Sequence, residues 1–153
     1  QAAEEAARVD AMRGAGTGHE QIAQLRREMN TTMEEGCGVY RRQESMHATV
    51  ETISSIKSRL GDLKLTDKSK VFNTEIIAAL ELHNMVEVAE SLAVSAAHRK
   101  ESRGAHTCRD FPTRDDQNFL YHTLCHRDEG GGRPRLGKKD VTLGHWEPEE
   151  RKY

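Results

Sequence analysis

The sequence predicts a mainly α chain: a three-helix up-down-up bundle, spectrin-repeat-like, over residues 19–104, followed by an extended tail over 105–153 that contains a small β hairpin. Three observations lead there. Apolar residues recur at helical spacing in three successive stretches. Glycines stand between those stretches, where helices must stop. After Gly104 the pattern shifts to aromatic and apolar residues with partial two-residue alternation, a strand signal.

The first stretch, residues 1–18, reads as a linker or partial helix. "QAAEEAARVD" is an Ala/Glu-rich helical composition, and "RGAGTG" breaks it. A helix then starts near residue 19, with Thr17 or Gly18 as cap and Glu20 completing a capping box. Ile22, Leu25, Met29 and Met33 form its inward stripe, Arg26, Arg27 and Glu28 are expected to face away, and Gly36 and Gly38 end it. The second helix runs from about Gln43 to Leu60, on Met46, Val50, Ile53, Ile56 and Leu60. Gly61 is placed just past its end, where the left-handed conformation is usual.

The third helix starts at Asn73, a good N-cap, and continues to about Arg99, some 40 Å at ~1.5 Å per residue. Ile76, Ile77, Leu80, Leu82, Met85, Val86, Val88, Leu92 and Val94 cover more than one stripe. A helix apolar on several sides needs cover on several sides. Either the tail supplies it or one face docks on a missing partner. In the tail, "NFLYHTLCHR" reads as a strand, "DEGGGRPRLG" as a turn or loop, and Val141–His145 as a second strand ending at Trp146 and Pro148. A hairpin on its own is marginal.

Bulk properties exclude several function classes. At 153 residues the chain makes one domain and buries roughly two-thirds of its unfolded surface. A net charge of -2 provides no global field to recruit nucleic acid or anionic lipid. No apolar run approaches the ~20 residues that span a bilayer, so direct membrane insertion is not expected. The start shows no signal-peptide pattern, lacks an initiating Met and begins inside a helical pattern, which predicts a piece of something longer. Cys37, Cys108 and Cys125 are an odd set at unrelated spacings, consistent with a reducing compartment.

Candidate chemistry is sparse. "GAGTGH" has the glycines of a phosphate loop, but such a loop must follow a strand, and helix-forming residues precede this one. His106, Cys108, His122, Cys125 and His126 invite a metal. Four ligands must converge at ~2.0–2.3 Å for zinc, whereas His122 and His126 on a strand lie ~13 Å apart. Solvated or hydrogen-bonded histidines are the simpler reading, and a small metal hydrolase around His106, Cys108 and His122 the sharper one. Ser102 with His106, or Cys108, lacks an orienting third group for nucleophilic catalysis.

The most distinctive segment is "RKESRGAHTCRDFPTRDD", residues 99 to 116. Arg99 and Lys100 suit a helix C-terminus, Gly104 can adopt the left-handed conformation that stops a helix, and Pro112 blocks its resumption. Arg103, Arg109 and Arg114 alternate with Glu101, Asp110, Asp115 and Asp116. Pattern alone leaves a solvated loop with weak ion pairs and a docking surface of bidentate guanidinium forks equally open.

"MEEGCGVYR", "VFNTEIIAALELHNMVEVAESLAVSAAHRKESRGAH", "DFPTRDDQNFLYHTL" and "WEPEERKY" closely resemble the C-terminal part of the flavoprotein subunit of succinate dehydrogenase and fumarate reductase, from about Ala23 to Tyr153. L-aspartate oxidase is similar through "RKESRG" but lacks the "RDD…HTL" and "PEERKY" continuation, which favours the respiratory enzymes. The resemblance implies a parent subunit that interconverts succinate and fumarate by hydride transfer at an FAD, usually covalently bound. It also implies electron exchange with an iron–sulfur subunit and a quinone-reactive membrane anchor. The family's dinucleotide, flavin-linking and substrate-binding motifs match no position here, so this piece is expected to hold no cofactor, no metal and no catalytic residue.

By the same resemblance, residues 19–104 pack on the upstream FAD domain. Arg99, Glu101, Arg103, His106, Arg109, Asp110, Arg114, Asp115 and Asp116 become interdomain docking residues that hold the tail against it. The implied location is cytoplasmic, on the inner face of the membrane within an anchored complex (the matrix face in a mitochondrion). The isolated piece is expected to be soluble, inactive and prone to self-association. The rival from a different class is a free-standing three-helix interaction module that uses the charged loop and Trp146 to hold a partner.

Overall fold

The computed structural model describes residues 2–15, 18–128, 130, 132–145 and 149. In chain order these form α1 (Ala2–Ala15), α2 (Ile22–Cys37), β1 (Tyr40–Arg41), α3 (Gln43–Arg59), a 3-10 turn (Leu60–Asp62), α4 (Thr74–His98), β2 (Thr107–Cys108), α5 (Asp116–Phe119), β3 (Tyr121–His126) and β4 (Arg135–Asp140). Helices α2, α3 and α4 pack against one another pairwise as the expected bundle, and the chain is mainly α.

The core has two parts. Around the middle and the α4 N-terminus, Leu25, Met29, Ile53, Ile56, Leu60, Leu65, Ile76, Leu82 and Val86 close together, with Val9 and Met12 of α1 packed on the edge. Toward the other end, Cys37, Met46, Val50, Ala93, Ala96, Ala97 and Cys108 form a second cluster. Alanines on α4 there let the helices approach closely. Gly36 does the same on α2, since a methyl on it would stand 1.8 Å from Thr49 Oγ1. Lys57 Nζ reaches the buried Glu90 at 2.6 Å and Glu87 at 3.3 Å. Burial works against the ammonium, but the two carboxylates outweigh it and hold its pKa above the usual lysine value.

Several expectations are corrected. Thr17 lies outside the described residues, and no capping box forms at Gly18 and Glu20. Instead α2 starts at Ile22 without a side-chain cap, because Glu20 is drawn into a parallel bridge with Leu63. Its N–H donates to Asp62 O at 3.0 Å and its carbonyl accepts from Lys64 N at 2.8 Å. The Glu20 carboxylate is taken by Arg59 at 2.7 Å. Arg26 and Glu28 do not simply face away: Arg26 pairs with Glu81 of α4 at 3.1 Å, and Arg59 reaches Glu28 at 2.9 Å. Arg27 is exposed as expected. Gly61 does not terminate α3 in a left-handed conformation, because the chain tightens into the 3-10 turn instead.

Asn73 caps α4 as expected, its Oδ1 accepting from Ile76 N at 2.9 Å. The helix ends at His98, before Gly104, with Arg99 already extended. Gly104 is left-handed, φ 56°, but it turns a tight hairpin in which Arg103 and His106 exchange backbone hydrogen bonds at 2.9 Å.

The tail hairpin forms with a shifted second strand. Residues Arg135–Asp140 pair antiparallel with β3, Leu136 opposite Cys125 and Lys138 opposite Thr123, whereas 141–145 carry no strand. The cationic "RLGKKD" has weak strand propensity, and pairing to a strand already placed by α4 overrides it. Trp146 and Pro148 lie outside the described residues. The tail leaves part of α4 uncovered: Ile77, Val88 and Leu92 remain exposed.

Candidate functional site at the end of the long helix

Just past the end of α4 a single carboxylate is buried among Arg99, Arg103 and the backbone of Asp115, the residue before α5. Glu101 is fully buried. Its Oε1 accepts from Arg99 Nη1 at 2.5 Å and Arg103 Nε at 2.9 Å. Its Oε2 accepts from Arg103 Nη2 at 3.0 Å and from the Asp115 backbone N–H at 2.9 Å. Arg103 continues to Asp116 at 2.6 Å, and Arg114 reaches the other Asp116 oxygen at 2.7 Å. The alternating charges at 99–116 therefore resolve into one connected chain of charge-assisted bonds. The hydrogen bond from Arg103 and the Arg114 charge hold Asp116 below the usual carboxylate range, while Glu101, ahead of Asp116, raises Arg103.

Arg99 is the hinge between bundle and tail. Its Nε donates to Thr123 Oγ1 at 3.1 Å, Nη2 donates to the carbonyls of Phe119 and Tyr121, and its plane lies 5.1 Å from the Tyr121 ring centroid. His98 meets Tyr121 Oη at 3.0 Å. These are planar stacking and fork contacts that a lysine would not reproduce.

His106 lies on the α2–α3 side of the loop. Its Nδ1 accepts from Arg41 Nη1 at 2.8 Å and its Nε2 faces Arg99 O at 3.2 Å, an arrangement that suits the neutral ring with its proton on Nε2. Burial, then the nearby arginines, push its pKa down against the opposing Arg99 carbonyl bond. Asp110 Oδ2 accepts from Gln43 N at 2.6 Å and thereby caps α3. Arg109 is an exposed cation over Tyr40, 4.9 Å from the centroid, while its backbone N–H donates to Arg41 O at 2.8 Å. Asp115 caps α5 through Asn118, whose bonds lower its pKa.

The nine residues singled out in the sequence thus gather at one end of the bundle, each bonded or stacked within the chain. Arg41, Gln43, Phe119, Tyr121 and Thr123 complete the arrangement and carried no local signal, because each joins through a contact distant in sequence. Ser102 Oγ donates to Phe111 O at 2.8 Å, with Cys108 O also within reach at 3.2 Å, and accepts from Cys108 N at 2.9 Å, so it staples the loop. Cys108 is buried in the core, and His122 and His126 stand exposed on β3. Among the described residues, no three His, Cys, Asp or Glu side chains gather as a metal site.

Residues 26–153 match the family described as the fumarate reductase flavoprotein C-terminus. The chain is 44% identical over 136 residues to the fumarate reductase flavoprotein subunit of Haemophilus influenzae, covering 89% of this chain and 22% of that one. It is 42% identical over 127 residues to the succinate dehydrogenase flavoprotein subunit of Rickettsia bellii, covering 83% and 21%. A chain of a solved quinol–fumarate reductase with menaquinol molecules superposes with TM-score 0.89 at 40% identity, covering 97% of this chain and 26% of that one. This chain therefore spans less than a quarter of the length of these curated relatives. On both the sequence match and the superposed fold, it belongs to the C-terminal domain family of fumarate reductase and succinate dehydrogenase flavoprotein subunits.

Proposed function

We propose that this chain is the helical C-terminal domain of an FAD-dependent subunit that interconverts succinate and fumarate, and that its role is to pack on the FAD domain and support assembly of the complex. The observation that carries the reading is the match over 26–153 to that C-terminal family. The proposed partners are the upstream FAD domain and an iron–sulfur subunit. The proposed location is the cytoplasmic or matrix face of the membrane, within an anchored complex. Among the described residues no helix is long and apolar enough to cross a membrane.

The described glycines of the 14–18 stretch do not fit a flavin pyrophosphate. Among the described residues, Gly14 lies inside α1 and the Gly18 backbone abuts Asp62 O, so neither opens a glycine cradle onto a helix N-terminus. No step of the chemistry is assigned to this chain. Its charged loop instead locks the tail to the bundle through Arg99, Glu101 and Arg103, and so fixes the surface that the tail presents to the FAD domain.

The test uses the native polypeptide. A denaturing gel of source cells is probed with an antibody to this domain and imaged for covalent flavin fluorescence. A flavin-bearing band several times larger than 17.2 kDa is expected. A single flavin-free band at 17.2 kDa would replace the reading with the free-standing interaction module.

A further inference from the structure

Among the described residues, Phe72 is the one non-glycine position with a left-handed backbone, φ 54°. It is also 95% exposed, and Val71 beside it is 70% exposed. A bulky aromatic in that region is strained, and strain persists only where surrounding bonds impose it. Here they do. Asn73 Nδ2 donates to Asp67 O at 2.8 Å and Ser69 O at 3.1 Å. The Glu75 carboxylate accepts from Thr66 N and Asp67 N at 2.7 Å. Thr74 N donates to Phe72 O at 3.0 Å. The loop is a hydrogen-bonded finger whose tip is apolar.

The finger leads into the uncovered side of α4. Ile77, Val88 and Leu92, exposed by 55, 67 and 43%, fall within about 60° on the helix. The charged residue on that strip, Glu81, is engaged by Arg26 at 3.1 Å. A strip so poor in free charge suits the core of a permanent interface rather than a steered encounter.

We propose that the Val71–Phe72 finger and the Ile77–Val88–Leu92 strip are the seat for the part of the same polypeptide that precedes this domain in its relatives, with Phe72 entering an apolar pocket there. This rests on the reading above. The matched family is a C-terminus, and this chain covers 22% of the Haemophilus influenzae relative, so the occupant is tethered and held at high effective concentration.

The test uses the full-length subunit in its complex. A photo-crosslinking p-benzoylphenylalanine replaces Phe72, and in a control it replaces His47, which is exposed on α3. Mass spectrometry is expected to find links from position 72 to upstream peptides of the same chain and none from position 47. Links to another subunit or a second copy, or no link at all, would overturn the proposal. Phe72→Gly removes the ring and suits the left-handed backbone, so its effect is not one of loop unfolding. It is expected to speed proteolytic release of this domain roughly tenfold, as for loss of one interface anchor. An unchanged rate would also overturn the proposal. Failure of the functional reading looks different: a flavin-free native polypeptide of this chain's own size.

Discussion

Glu101 has no exposed surface, yet two guanidinium groups and a backbone N–H meet its two oxygens. A neutral isostere keeps the shape, removes the charge and turns an NH2 toward one of those donors. Glu101→Gln is therefore expected to cost about 3 kcal/mol, the scale for removing one partner of a buried ion pair, and a urea melt of the variant against the parent chain measures it. The histidines set a second expectation. Burial is the leading cause that lowers the pKa of His83, His98 and His106. Each therefore binds a proton more readily unfolded than folded. The stability they contribute is full above the unfolded value of about 6.5 and falls as pH drops through it toward the lowered folded values. Denaturant midpoints measured between pH 7.5 and 5.5 should decline, and His106→Gln should flatten part of that slope. A separate loss near pH 4 belongs to carboxylates such as Asp116, whose pKa the Arg103 hydrogen bond lowers. Alternating charge along 99–116 was legible as a pattern, but its pairing was not. Glu101 and His106 sit five residues apart, yet Glu101 takes the Asp115 N–H beside α5 and His106 takes Arg41 of β1, and both of those partners are distant in sequence.

Helix positions followed from periodicity, and Gly36 shows what periodicity leaves out. As a helix residue it is disfavoured relative to alanine by about 1 kcal/mol, so a local view calls Gly36→Ala stabilising. The α2–α3 crossing reverses the sign, since a methyl there meets Thr49 Oγ1 at 1.8 Å and Ser45 O at 3.0 Å. Overpacking of this kind costs about 1–3 kcal/mol. Gly36→Ala is expected to lower the thermal midpoint, and adding Thr49→Ala to recover part of it; calorimetry on both variants measures this. Strands were less legible. The first hairpin strand carried aromatic and β-branched residues, whereas β4 did not, and its register depended on the partner already laid down. One helix end, the start of α2, was missed for the same reason: Glu20 bonds to the 62–64 segment instead of closing a capping box, whereas α3 and α4 begin and end close to where the sequence put them.

For the whole molecule, the charged loop and the apolar strip divide the work. The loop binds the tail to the bundle, and the finger with the α4 strip faces outward. In the full subunit, Arg103→Ala opens the link between Glu101 and Asp116. It is expected to lower the thermal midpoint and the yield of assembled, flavin-bearing enzyme, and calorimetry with flavin fluorescence on the purified complex would show both. Unchanged values would mean that the loop braces nothing beyond itself.

By itself the sequence determined the helical class, the three-helix order, the Asn73 cap and the excess apolar surface of the third helix, because helical periodicity and capping act over a few residues. The long block from Phe72 to Asp116 also carried the family. Tertiary structure alone decided which carboxylate is buried, where β4 pairs, how α2 begins and which apolar residues of α4 stay uncovered. Those outcomes depend on contacts between residues far apart in the chain, where the energy of one long-range pair outweighs local preference.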